Sequence, residues 1–279
     1  MANYTAADIK ALRERTGAGM MDVKKALDEA DGDFEKAIEA IRVKGLKGAA
    51  KRESRSAAEG LVVAKVVDGT KGFLVEVNAE TDFVAKSDKF VGLAEQVLET
   101  AVAHDVDTLE QLLEADVDGK KLSDHVTEEG ATLGEKVLVS RFAKVEGAAV
   151  DAYLHKTAKD LPAQVGVLIA VDAGSEDAKT AAHDVAVHAA AMAPNHLTRD
   201  EVPEETVANE RRIAEETARA EDKPEQAIPK IIEGRVNAFF KDNVLLDQPF
   251  AKDPKQTVAQ VLEAAGTSAQ AMARFRVGS

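Results

Sequence analysis

Six histidines and fifty acidic side chains are the groups from which this 279-residue chain could build a catalytic or metal site, because it has no cysteine. That absence removes thiol nucleophiles, disulfides, Cys-ligated zinc and iron–sulfur clusters. His183 and His188 are five apart, which sets them about 140° apart around a helix, the wrong geometry for one metal. No His-Glu-x-x-His, Gly-x-Ser-x-Gly or Gly-x-x-x-x-Gly-Lys-[Ser/Thr] string occurs. Gly17-Ala-Gly19 is a fragment of a dinucleotide fingerprint, but it joins two helical stretches rather than a strand to a helix. No carboxylate pair sits at an apolar strand end, where a raised pKa would be expected. The expectation is a protein that is not an enzyme, with no catalytic residue, no metal and no cofactor.

The informative residues are apolar ones in polar places. Aromatics make up only 4% of the chain, with no Trp, so each Phe outside a regular element counts. Phe83 stands beside Asp82 in Glu80-Thr-Asp-Phe-Val-Ala-Lys-Ser-Asp-Lys89, between a strand and a helix. It is either tucked under its own domain or made for a partner. The net charge of −14 argues against a nucleic-acid binder, whose affinity comes mostly from neutralising phosphates. It suits a protein that acts on another protein. No run approaches the ~20 apolar residues of a membrane span. No targeting presequence is visible either, so a cytoplasmic location is expected.

The elements follow from spacing. Thr5 or Asn3 can cap a helix carrying Ile9, Leu12 and Arg13, which Arg15-Thr-Gly-Ala-Gly19 breaks. A second helix runs from about Met20 to Ala30, with Val23, Ala26 and Leu27 at helical spacing. Adjacent methionines cannot both face one core, so one of Met20 and Met21 is assigned to the core and the other to an adaptable contact. Asp33 caps a third helix whose Phe34, Ala37, Ile38 and Ile41 form one stripe. Three short helices resemble a ubiquitin-associated (UBA) domain. The basic segment Lys44 to Glu59, with Lys47, Lys51, Arg52 and Arg55, has two readings: a solvated linker or helical extension, or a contact strip for an acidic partner.

The middle is duplicated. Leu61 to Val67, the turn Asp68-Gly-Thr-Lys-Gly72 and Phe73 to Val77 read as a β-hairpin, followed by a helix from Phe90 to Val102. Ala148 to Leu154, Val165 to Val171 and a helix from Ala181 to Met192 repeat the pattern. Gly72-Phe-Leu-Val-Glu-Val-Asn-Ala79 aligns with Gly166-Val-Leu-Ile-Ala-Val-Asp-Ala173 at an offset of 94. Thr108 to Leu113, Leu122 to Thr127 and Gly134 to Phe142 are expected to be helical or irregular connections. The loop after the second strand breaks the repeat, because only the first copy carries an apolar Phe83.

Beyond Pro194 charge becomes dense. Glu204 to Ala220 and Ala227 to Phe240 read as two antiparallel helices, either packed on the core or projecting. Val244 to Phe250 reads as an extended loop, Val258 to Ala265 as a short helix, and Met272 to Val277 as a strand that finishes a sheet.

Two strings go further. Leu12-Arg-Glu-Arg-Thr-Gly-Ala-Gly-Met-Met-Asp-Val-Lys-Lys-Ala-Leu27 and Glu76-Val-Asn-Ala-Glu-Thr-Asp-Phe-Val-Ala-Lys86 closely resemble segments of the translation elongation factor Ts family, in its order and spacing. The likeness spans essentially the whole chain, including Gly234-Arg235 and Gln248-Pro249-Phe250. It implies a guanine nucleotide exchange factor for the GTPase elongation factor Tu. Such a factor binds the GDP form, disturbs the magnesium and phosphate site, releases GDP and is displaced by GTP. The resemblance assigns magnesium displacement to Thr81, Asp82, Phe83 and Val84. It assigns other partner contacts to Arg13, Met20, Met21 and Lys24, and to His155 through a variable turn. It implies an α+β fold with three parts: an N-terminal three-helix UBA-like domain and basic linker (1–54), and two α/β core subdomains with antiparallel sheets (55–143 and 144–279). A projecting antiparallel helical hairpin is inserted at about 195–235. Through that hairpin the family can form a homodimer or a 2:2 complex, and no direct contact with nucleic acid or membrane is implied. Some members continue into a C-terminal helix that is lacking after Arg274-Phe-Arg-Val277, so affinity is expected to rest more on the core. A rival adaptor reading, with affinity held by the first 55 residues, requires Phe83 to be buried. A hydrolase reading requires turnover by the protein alone.

Overall fold

The computed structural model of the chain describes residues 3–16 and 18–279. Gly17, and the side chains of Lys47 and Lys51 in the basic segment, lie outside the described residues. Three helices come first: α1 (Ala6–Thr16), α2 (Met20–Glu29) and α3 (Phe34–Arg52). Thr5 caps α1 reciprocally: its hydroxyl accepts from the Asp8 amide at 3.3 Å and its own amide donates to the Asp8 carboxylate at 2.7 Å. Asp33 caps α3 by accepting from the Lys36 amide. Leu12, Val23, Leu27 and Ala37 form the fully buried centre of this bundle.

The core is built from β1 (Glu59–Val67), β2 (Lys71–Ala79), the single turn α4 (Asp82–Ala85), α5 (Asp88–Ala103), α6 (Leu109–Glu114), the short strands β3 (Asp116–Val117) and β4 (Lys120–Lys121), α7 (Leu122–Leu133) and β5 (Leu138–Glu146). A second unit follows with β6 (Ala149–His155), β7 (Val165–Val171) and α8 (Glu176–Met192). Then come α9 (Glu204–Ala220), α10 (Ile228–Asn243), β8 (Pro249–Phe250), β9 (Asp253–Thr257), α11 (Val258–Ala264) and β10 (Ala269–Arg276). Helices α9 and α10 pack along one another around Val207, Ile232, Val236 and Phe240.

Each half of the repeat makes an antiparallel three-stranded sheet, ordered β1-β2-β5 and β10-β7-β6, with the repeated strand in the centre. Both central strands are buried on both faces, which is why they read as continuous apolar runs. Phe73, Val75 and Val77 face α5, and Val167, Ile169 and Val171 face α8. Leu74 and Leu168 face the other sheet. The result is four layers, α5, sheet, sheet and α8.

The contact between the sheets is reciprocal. A Cβ on Gly166 would lie 2.6 Å from a Leu74 methyl, and a Cβ on Gly72 would lie 3.0 Å from a Leu168 methyl. Both the glycines and the leucines are related by the offset of 94. Each sheet therefore inserts a leucine over the other's glycine. Gly72 meets Leu168 and Gly166 meets Leu74, so β2 and β7 run in opposite directions across the interface.

Two sequence expectations are corrected. Gly134 to Phe142 is not a helical or irregular connection: most of it belongs to β5, whose poor alternation reflects an edge strand beside β2. Of the readings of the basic segment, the helical extension holds for most of it, because α3 continues to Arg52 and docks on α7. Gly45 is the close-approach point there, since an added Cβ would come within 2.9 Å of the Ala131 Cβ. Arg42 pairs with Glu128 beside it. Val244 to Phe250 is not simply extended but contains a 3-10 turn (Leu245–Asp247) before β8.

Two buried polar clusters fasten the layers. Glu76, 2% exposed, accepts from Arg141 Nε at 2.6 Å and from Asn78 Nδ2 at 3.0 Å. Arg141 also donates to the Arg276 carbonyl, tying β10 to the first sheet. Gln248 donates to the Asp242 and Met192 carbonyls and its Oε1 lies 2.9 Å from His188 Nε2, while the Ala251 amide donates to His188 Nδ1 at 3.1 Å. His188 is thereby fixed as the neutral Nε2–H tautomer, and burial pushes its pKa below the ordinary value.

Gly166→Ala is expected to cost about 1–3 kcal/mol by overpacking and Leu74→Ala about 2–5 kcal/mol. The double variant should lose less than the sum, because the missing methyls make room for the new one. Urea midpoints check this, and strict additivity would show that Leu74 does not limit Gly166. The lowered His188 pKa means the unfolded chain binds the proton more readily. Stability should therefore be full above about pH 6.5 and fall as the pH drops below it. Unfolding between pH 7.5 and 5.5 should show a shallower decline for His188→Gln than for the parent.

Candidate functional site

The segment that breaks the repeat is an insertion. The offset is 94 from Ala79 to Ala173 but 88 between the helix-capping serines Ser87 and Ser175, so the first copy holds six more residues between strand and helix. Those residues form α4. Thr81 caps the turn by accepting from the Val84 amide at 3.4 Å, and Lys86 closes it by donating its backbone N–H to the Asp82 carbonyl at 3.1 Å. Ser87 then caps α5 while its hydroxyl donates to the Val84 carbonyl at 2.8 Å.

Within the turn the side chains divide. Ala85 is fully buried and Val84 packs against the first core. Phe83 points the other way and is 74% exposed. The Lys86 ammonium lies 4.6 Å from the Phe83 ring centroid and 3.4 Å from the Asp82 carboxylate. The open question of Phe83 is thus settled toward exposure, against what the adaptor reading required. Behind the turn, the Glu80 carboxylate accepts from the Lys136 amide at 2.6 Å and from Arg55 at 3.1 Å. The Lys136 amide above all, with the Arg55 guanidinium, holds its pKa below the ordinary value.

A second apolar feature lies on the three-helix bundle. Met20 is 59% and Met21 75% exposed, so neither joins the core. The assignment of one of them to the core was wrong because Val23, Ala26 and Leu27 already close the bundle against Leu12. Arg13 and Lys24 are also exposed. His155, the last residue of β6, is exposed, with its Nδ1 3.3 Å from the Tyr153 hydroxyl. It pairs with Val165 at the start of β7. Because β2 and β7 run oppositely across the sandwich, His155 and the α4 turn emerge at the same end of the molecule. Among the described residues no group of three or more His, Asp or Glu could hold a metal ion. Among them no helix is long and apolar enough to cross a membrane.

Comparison with known proteins gives a consistent result. The family model described as Elongation factor TS matches residues 80–279. The elongation factors Ts of Micrococcus luteus and Pseudarthrobacter chlorophenolicus are each 71% identical over 279 residues, covering the whole of both chains. That of Kocuria rhizophila is 64% identical with the same coverage. The chain belongs to the elongation factor Ts family. Membership places it among translation elongation factors and agrees with the mixed helix and antiparallel-sheet architecture. The Phe83 turn and the string from Leu12 to Leu27 that first resembled this family are therefore segments of a genuine member.

Phe83→Ala should leave stability unchanged within about 0.5 kcal/mol, because an exposed ring contributes little to folding. Ala85→Leu on the buried side of the same turn should cost about 1–3 kcal/mol. Paired urea titrations check the contrast. A large loss from Phe83→Ala would mean that the ring supports the fold.

Proposed function

We propose that this protein accelerates the release of GDP from elongation factor Tu and that the Asp82-Phe83 turn is the element that intrudes. The observation that carries this is a phenylalanine 74% exposed at the tip of a turn capped at both ends. GDP is held in such a GTPase through its phosphates, by backbone donors, a lysine and a magnesium ion. A factor can speed release only by binding better to states in which those contacts are loosened. Phe83 acts as an apolar wedge, Asp82 brings a negative charge toward the magnesium site, and Thr81 and Val84 hold the turn in shape. Burying one phenylalanine is worth roughly 1.5–3 kcal/mol, or about ten- to a hundredfold in affinity.

A broad surface supplies the rest. Arg13, Met20, Met21 and Lys24 form the contact on the three-helix bundle, and His155 the contact from the second half of the core. Coupling is reciprocal: nucleotide weakens the factor's hold as much as the factor weakens the nucleotide's. GTP therefore expels the factor, and the protein carries out no chemistry of its own. The α9–α10 pair is the surface through which two such factors would associate as a homodimer or a 2:2 complex. The work takes place in the cytoplasm, without direct contact to nucleic acid or membrane.

Release of a fluorescent GDP from elongation factor Tu tests the reading. The parent should accelerate release catalytically, and Phe83→Ala should reduce the acceleration at least about tenfold. If the variant matches the parent, exchange stands and the wedge does not. If the parent has no effect, the exchange function itself fails.

A further inference from the structure

We infer that Glu135 is a positioning residue for exchange, a clamp that sets the direction of the Phe83 turn from outside the signature segment; this rests on the wedge reading above. Glu135 sits in the short connection between α7 and β5, more than fifty residues from Phe83 in sequence. Its carboxylate accepts three hydrogen bonds at the root of the turn. One oxygen takes the Glu80 amide at 3.1 Å and the Thr81 amide at 3.0 Å, and the other takes the Thr81 hydroxyl at 2.6 Å.

Chemistry makes this contact more than packing. The two amides lie past the end of β2, where the ladder to β5 has stopped at Asn78 and Leu138. Without Glu135 they would be half-buried donors with no partner, which is costly. The Thr81 hydroxyl that donates to Glu135 is the same group that caps α4 by accepting from Val84. One carboxylate thus orients the cap, and the cap orients the turn. The bond is also answered from the other side, because the Glu80 carboxylate accepts from the Lys136 amide. Adjacent residues 80–81 and 135–136 exchange side-chain-to-backbone bonds in both directions. The Lys136 ammonium continues the chain of contacts to the carbonyls of Glu53 and Arg55, just beyond α3. The root of the wedge is therefore held to the core and to the exit of the three-helix bundle. The second copy of the repeat has a single residue, Gly174, in place of the whole insertion, so there is nothing to clamp.

The sequence holds no signal for it, because Glu135 lies next to Gly134 in a stretch read as a helical or irregular connection, where one carboxylate among fifty carries no mark.

The experiment is a double-mutant cycle on GDP release from elongation factor Tu at saturating factor. It uses the full chain, Glu135→Ala, Phe83→Ala and the pair, with Glu135→Gln as the conservative variant. Glu135→Ala should slow stimulated release about tenfold, the scale of one lost charged hydrogen-bond set. Glu135→Gln, whose amide can still accept from both backbone donors and meet the Thr81 hydroxyl, should retain most of the activity. In the Phe83→Ala background Glu135→Ala should add nothing further, since a clamp acts only through what it holds. Multiplying losses in the pair would overturn the clamp and assign Glu135 to general stability, and an unaffected Glu135→Ala would overturn it outright. An unaffected Phe83→Ala would instead overturn the wedge. Urea midpoints of all five proteins separate folding loss from these outcomes.

Discussion

The packing of two leucines over two glycines sets the geometry on which everything else depends. Leu74 lies over Gly166 and Leu168 over Gly72, at the centre of two sheets that each carry a helix on the outer face. A side chain at either glycine would hold the sheets apart, and interiors tolerate such expansion poorly. The same contact fixes the antiparallel relation of β2 and β7. That relation brings the end of β2, where the α4 turn begins, to the end of the molecule where β6 finishes at His155. A duplicated unit thus becomes a single body with the α4 turn and His155 at one end.

Duplication also explains why the two halves can differ there. The strand and helix of each copy need only a serine cap and a three-residue join, as Asp172 to Ser175 demonstrate. The first copy spends six more residues on a turn whose Val84 and Ala85 repack against its own core. Those inward contacts, with the Thr81 and Ser87 caps, leave Phe83 no route back to the interior. An apolar ring held outward before any partner arrives needs no ordering on association, so more of its burial is available as affinity. Asp82 and Lys86 flank it with charge and keep it from forming a larger exposed patch.

Much of this was legible in the sequence. Periodicity located the three N-terminal helices, both hairpin strands, α10 and the terminal strand, because each buries a regular face. The offset of 94 between Gly72–Ala79 and Gly166–Ala173 predicted the paired sheets. What stayed hidden depended on contacts between distant segments. β5 was missed because an edge strand with Arg141, Lys144 and Glu146 satisfies its charges through ion pairs that no local pattern reveals. The extension of α3 stood only as one reading of the basic segment, because Gly45 and Gly48 weaken a helix locally, while Gly45 admits close packing on α7. At the candidate site the sequence singled out Phe83 by its type and place. It misjudged the methionine pair, because adjacency on a helix shows that both cannot face one core but not that either must.

The distribution of apolar surface bears on how an exchange factor of this build would work. One ring supplies about ten- to a hundredfold at most, so the remaining free energy must come from a wide contact acting in concert with it. Concert requires that the three-helix bundle not swing independently of the wedge. Three contacts oppose that motion: α3 against α7 at Gly45 and Ala131, Arg42 on Glu128, and Arg55 on Glu80. The last of these ends on the residue from which the α4 turn departs. On the proposed reading, force applied by a partner at Met20 and Met21 would be resisted at the root of the Phe83 turn rather than dissipated in a linker. Under reciprocal coupling, stiffness of this kind raises the differential affinity between loosened and closed nucleotide states, which is the only quantity that exchange can draw upon.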